Sequence, residues 1–120
     1  MWTYEDITRE EFEKRKDYVE KVMVELGAVP TEHAASVKVS TYANNQLIGE
    51  HTSNRTIYIY QEEYYRVCEM LYKDKPFIVI EFAESLERAL SNCMEDIDPF
   101  PHDLSDNEIV KEVKCSLGIY

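Results

Sequence analysis

Glycine is scarce in this sequence. Gly27, Gly49 and Gly118 are the only three, and they stand far apart. Phosphate-cradling loops need several glycines within a few residues, so neither a P-loop nor a dinucleotide fingerprint is possible. Cysteine is equally sparse. Cys68, Cys93 and Cys115 are odd in number, widely spaced and form no CxxC pair. That excludes a disulfide framework and a structural zinc site, and it points to a reducing, cytoplasmic setting. Each cysteine falls on the apolar stripe of an expected helix, where it would serve as a small buried hydrophobe. Histidine occurs at His33, His51 and His102, with no i,i+4 pair and no HExxH. Metal ligation is not expected, and His102 is read as a loop residue that pairs with its neighbour Asp103 or faces solvent. There is no GxSxG elbow and no SxxK, so no nucleophile is singled out. The abundant carboxylates single out no acid–base pair.

Basic residues are the next shortage. Thirteen Lys and Arg face 24 Asp and Glu, for a net charge of −11. Phosphate backbones and anionic lipid would be repelled over most of the surface, so nucleic-acid and membrane-surface partners are excluded. Long apolar runs are missing too. The longest, Phe77 to Ile80, is strand-sized, so no bilayer span is expected. The opening residues have no apolar h-region, and no cleaved signal peptide is expected. A calcium loop fails in the segment from Asp96, because position six of the motif is Pro101 rather than glycine.

What is present suits one globular domain over residues 1–120. The chain is 44% hydrophobic and 12% aromatic. It can build a real core, since a domain of roughly 150 residues hides about two-thirds of its unfolded surface. Thr8 with Glu11 opens a first helix, whose stripe is Phe12, Val19, Val22, Met23 and Leu26, and Gly27 ends it. The charged run Glu10 to Asp17 is its solvated face. Residues 36–60 read as a three-stranded meander with turns at Asn44-Asn45 and Ser53-Asn54. Its strands put aliphatics on one face and Tyr42, Tyr58 and Tyr60 on the other. Tyr64, Val67, Cys68 and Leu71 predict a second helix over Glu62–Lys73. Phe77–Phe82 is an interior strand, and the helix before it allows it to lie parallel to the third strand. Ser85 caps a third helix with Leu86, Ala89, Leu90, Cys93 and Met94 inward. Ser105 and Glu108 form a capping box for the last helix. The expected fold is therefore α+β in the order α-β-β-β-α-β-α-α, with helices packed on a four-stranded, mostly antiparallel sheet.

The charge is uneven. From Glu81 to Glu112 ten acids face only Arg88 and Lys111. Glu95, Asp96, Asp98, Asp103, Asp106 and Glu108 follow one another with no Lys or Arg between them. Phe100 sits in this run between two prolines, either as an aromatic docking anchor or as a core plug. Tyr58 and Tyr60 are further contact candidates, exposed if helices cover only the aliphatic sheet face and buried if helices cover both.

A small, acidic chain without a catalytic motif, with the acidic run Glu95 to Glu108 and candidate surface tyrosines, resembles the immunity proteins that bacteria pair with polymorphic or contact-dependent toxins. The resemblance is one of kind across the whole chain. It implies a non-enzymatic inhibitor that binds and neutralises a basic toxin domain, such as a nuclease, in the cytoplasm. No cofactor or metal is implied. The expected partner-binding residues, read from the charge and tyrosine pattern, are Glu95, Asp96, Asp98, Phe100, Asp103, Asp106, Tyr58 and Tyr60. Two alternatives stay open. One is a small enzyme whose site assembles only in the fold, and the other is a structural or regulatory homodimer built on the tyrosine face.

Overall fold

The computed structural model describes residues 6–43, 46–72 and 75–119, and side chains at positions 37, 39, 41–43, 48, 51, 71 and 72 are outside that description. The fold is α+β, with three helices and an antiparallel sheet of six strands. The elements run α1 (Arg9–Glu25), β1 (Val29–Ala43), β2 (Gln46–Tyr60), β3 (Glu63–Tyr72), β4 (Lys75–Ala83), α2 (Leu86–Leu90), β5 (Glu95–Asp96), β6 (Phe100–Pro101) and α3 (Asp106–Ser116). Sheet order is β1-β2-β3-β4, and the two short strands β5 and β6 share the outer edge of β4. Among the described residues no helix is long and apolar enough to cross a membrane.

Local cap chemistry sets the helix starts. Thr8 Oγ1 accepts the Glu11 N–H at 3.1 Å, Ser85 Oγ accepts that of Arg88 at 3.2 Å, and Ser105 and Glu108 satisfy each other reciprocally. Gly27 follows α1 with φ +112°, and a Cβ there would stand 3.3 Å from the Tyr60 ring. Phe12, Val19, Val22 and Met23 of α1, together with Ile109 and Val113 of α3, bury against Tyr58, Tyr65, Val67, Ile78 and Ile80 of the sheet. The opposite face carries the smaller cluster Ala35, Ile57, Ala83 and Ala89 beneath α2.

Several expectations fail, each for a physical reason. The segment expected as a helix over Glu62–Lys73 contains strand β3. Tyr65, Arg66, Val67 and Cys68 are all buried, because helices cover both faces of the sheet at this point. A strand buried on both sides loses its two-residue alternation, and its apolar positions then match a helical period by coincidence. Strand β4 is antiparallel to β3, not parallel, since only positions 73 and 74 separate them and a parallel crossover needs a dozen residues or more. The expected turn at Ser53-Asn54 lies inside β2, which continues to Tyr60. The expected turn at Asn44-Asn45 lies outside the described residues. The third helix is only five residues long. Asn92, at φ +57°, breaks it and donates its side-chain amide to the Ser36 carbonyl at 2.8 Å. Leu90 and Cys93 are therefore exposed rather than inward, and Cys115 is exposed as well.

Strands β2 and β3 pair only where Tyr58–Tyr60 meets Glu63–Tyr65. Beyond that point the β1–β2 and β3–β4 hairpins separate, and α1 ties them together through charge. Lys16 is fully buried and donates to Glu69 of β3 at 2.6 Å, while Arg55 of β2 holds Glu13, Asp17 at 2.7 Å and Glu20 at 3.2 Å. Burial opposes the charge on Glu13, yet Lys16 and Arg55 outweigh it and hold this carboxyl below its ordinary pKa. Burial dominates at Glu20 and pushes its pKa up against the pull of Arg55.

Candidate functional site: an acidic sheet edge

The acidic run forms the outer border of β4. β5 pairs with Glu81 and Phe82, β6 pairs with Phe77 and Ile78, and between them the Ile97 N–H donates to the Ile80 carbonyl at 2.9 Å. The chain from Glu95 to Pro101 therefore follows the outer edge of β4 as an irregular fifth position across the sheet. Two side chains fix it. Phe100 is 2% exposed and sits in the main core, and Ile97 packs partly buried against the same cluster. Glu95, Asp96 and Asp98, placed around these two pegs, are exposed. The spacing of apolar pegs among acids is what turns a charged run into a fixed charged edge.

Phe100 is therefore the core plug and not an anchor for a partner. Its ring fills the space between the sheet and the helices, where a large apolar side chain gains most from leaving water. Tyr58, 8% exposed, and the half-buried Tyr60 face α1, because the larger helix pair covers the tyrosine face. Tyr58 therefore has little surface left for a partner, while Tyr60 keeps part of its own. The Tyr42 side chain lies outside the description.

Past Phe100 the chain is clamped by His102. This side chain is buried, not a solvent-facing loop residue, and its partner is Asp6 rather than Asp103. Nε2 of His102 lies 3.0 Å from the Asp6 carboxylate, and its ring meets Phe12 edge-on at 6.4 Å and 82°. The hydrogen bond to His102 holds the Asp6 carboxyl below its ordinary pKa. Asp6, exposed and ninety-six positions away in the chain, thus joins the acidic border; no local sequence signal could have placed it there. Asp103 and Asp106 are exposed, with Asp106 3.3 Å from Arg15 of α1. Glu108, bonded to Ser105, has its pKa lowered by that bond. Exposed Glu84 and Glu87 lengthen the border at its other end.

Behind the edge lies one buried cation. Arg66 is 1% exposed and donates to Glu81 from Nε at 2.9 Å and Nη2 at 2.6 Å, and from Nη1 to Asn92 at 2.7 Å. Burial raises the Glu81 pKa against the pull of Arg66, and Asp96, its partner across the strands, adds to the rise. The guanidinium is thereby committed to Glu81, and Asp96 lies exposed beside that carboxyl. Among the described residues no Lys or Arg makes an ion pair with Glu95, Asp96, Asp98 or Asp103.

Two of the recesses along this edge are large enough to hold a side chain. One of about 250 Å³ is lined by Asp6, Lys75, Phe77, Pro101, His102 and Asp103, without a Ser, Thr or Cys among its walls. The other, of about 290 Å³, lies where the last turn of α3 meets β3 and β4. Among the described residues no three His, Cys, Asp or Glu side chains come together as metal ligands. Burial pushes the Cys68 thiol up to about 11, so it is not a nucleophile at neutral pH. No protein-family model matches the chain, and neither a curated protein nor a solved structure matches it.

Proposed function

We propose that this protein is a non-enzymatic binding module of the immunity type, which neutralises a basic toxin domain by covering it with the acidic edge of the sheet. The supporting observation is that Glu95, Asp96 and Asp98, on the stretch that borders β4, and Asp103 just past β6 are exposed without a Lys or Arg ion-pair partner among the described residues. Such uncompensated charge raises the folded state's self-repulsion, and it becomes favourable when a positive surface arrives. The mount is rigid, so little ordering entropy is lost on docking. The contact set is Glu95, Asp96, Asp98, Asp103 and Asp106, extended by Asp6, Glu84 and Glu87.

The test is capture of a partner by the tagged chain from lysate of its own host, followed by association kinetics with the recovered protein. A basic partner is expected, bound faster at low salt. Reversing Asp98, Asp103 and Asp106 together to Lys slows that association at least tenfold, in keeping with the decades of rate that steering supplies. An unchanged rate and affinity in the triple variant places the contact elsewhere.

The second reading, a small enzyme, draws on the His102–Asp6 pair in its recess. Asp6 orients the ring as a base-orienting group would, but the recess offers no Ser, Thr or Cys for that base to activate. His102→Gln separates the two readings, since it would abolish a turnover that depends on proton transfer and leave partner capture intact.

A further inference from the structure

The recess of about 290 Å³ has a mixed lining of rings, aliphatic side chains and one carboxylate. Two rings line it, the 5% exposed Tyr65 of β3 and Phe82 of β4, which are partners across the strands with centroids 6.2 Å apart at 35°. Ile97 and Leu117 extend the apolar wall, and Glu63 and Cys115 stand at the rim. Three sources of negative potential converge on it. The faces of aromatic rings attract an ammonium or guanidinium held within about 6 Å. The last turn of α3 forms one side; the carbonyl end of a helix carries roughly half a negative charge, reduced here by Lys114 and by the N–H groups of Leu117, Gly118 and Ile119 that cap it. Glu63 adds a full carboxylate; it is exposed, and among the described residues it forms no ion pair. No Lys or Arg lines the recess. An anion would meet repulsion from all three sources, and a purely apolar guest would leave Glu63 and the helix end unused.

We propose that this recess receives one Arg or Lys side chain of the basic partner. The methylene stem lies against Ile97, Leu117 and the ring faces, as long cationic side chains do on apolar surface, and the head group meets Glu63 and the carbonyl end of α3. The inference rests on the proposed function, because it is the partner that presents the side chain. Apart from Ile97 it uses residues outside the acidic edge, so either can fail alone. Asp96 and Asp98 flank Ile97 in the chain, which puts the recess directly beside the charged border.

The probes are the N-acetyl amides of arginine, lysine, norleucine and glutamate, titrated into the full chain carrying Cys93→Ser. Two readouts apply: NMR shifts at Glu63, Ile97 and Ser116, and the rate at which a neutral maleimide alkylates exposed Cys115. The arginine and lysine compounds are expected to saturate, to shift all three signals and to slow alkylation. Norleucine amide binds far more weakly and the glutamate compound does not bind. Glu63→Gln, a change at an exposed position, weakens the arginine compound by roughly threefold to fivefold, the upper range for an exposed ion pair. Equal binding of norleucine and arginine amides overturns the proposal, because the site is then apolar. No saturable shift with either cation overturns it too. Protection of Cys115 that grows with protein concentration and needs no probe assigns the recess to a second copy of the chain, and also overturns it. With the recovered partner, alkylation of Cys115 that leaves affinity unchanged removes the recess from the interface while the acidic-edge reading stands.

Discussion

Arg66 and Phe100 decide how the acidic edge is held, and each can be tested alone. Glu81→Ala leaves the guanidinium of Arg66 buried with Asn92 as its remaining neutral partner. Breaking a buried pair from one side costs about 3–5 kcal/mol. The double change Arg66→Met with Glu81→Met is expected to lose much less, and urea unfolding of the three proteins checks it. Phe100→Ala costs about 3–5 kcal/mol by the rule for buried aromatics, and it frees Glu95–Pro101 to exchange its amide hydrogens. Glu81 also sets a pH dependence. Its pKa is raised on folding, so its contribution to stability is present at acid pH and lost as pH rises through the folded value. Glu81→Gln has no such loss, and its stability relative to the wild type should therefore climb as pH rises above about 4.3, the ordinary glutamate value. The thiols provide a simpler check: Cys93 and Cys115 alkylate quickly in the native protein, and Cys68 only on unfolding.

At this scale the caps Thr8, Ser85 and Ser105 were legible, because a side chain bonding three residues along is local chemistry. Lys16 was not. It lies within a run that reads as a solvated face, yet its partner Glu69 is supplied by a strand fifty-three positions away. The same distance problem hid Asp6 from His102.

Elements were legible where one face of a segment is wet. α1 and α3 have an exposed side, so their stripes stood out; β4 stood out as a continuous β-branched run. β3 is covered on both faces, and its period was lost. Its turn also gave no signal. Gln61 and Glu62 occupy left-handed conformations at φ +49° and +68°, where a two-residue hairpin favours Asn-Gly. Gln61→Asn with Glu62→Gly should relieve that strain and raise stability by about 1 kcal/mol, read as a higher Tm. A lower Tm would mean that the side chains at this turn contribute more than its backbone costs. The acidic border was visible in the sequence as a charge run, and its acids Glu95, Asp96, Asp98, Asp103 and Asp106 needed only their burial state to be sorted from Phe100. Its path along β4 was not visible, since it depends on Ile97 and Phe100 both packing into the core.

Across the whole molecule the net charge of −11 is concentrated rather than spread. Screening weakens interactions between exposed charges beyond about 10 Å at 0.1 M salt. The free protein should therefore gain stability on going from low to moderate salt as its self-repulsion falls, while its association with a positive surface should slow. These opposite responses separate an edge kept charged for binding from one that is charged only for solubility. The direct measurement is the association rate of the recovered partner against ionic strength, for the wild type and for Asp98→Lys/Asp103→Lys/Asp106→Lys. A steep fall with salt in the wild type, and a slow, nearly salt-independent rate in the variant, is the predicted result. Equal rates and equal salt slopes in the two proteins would contradict the account.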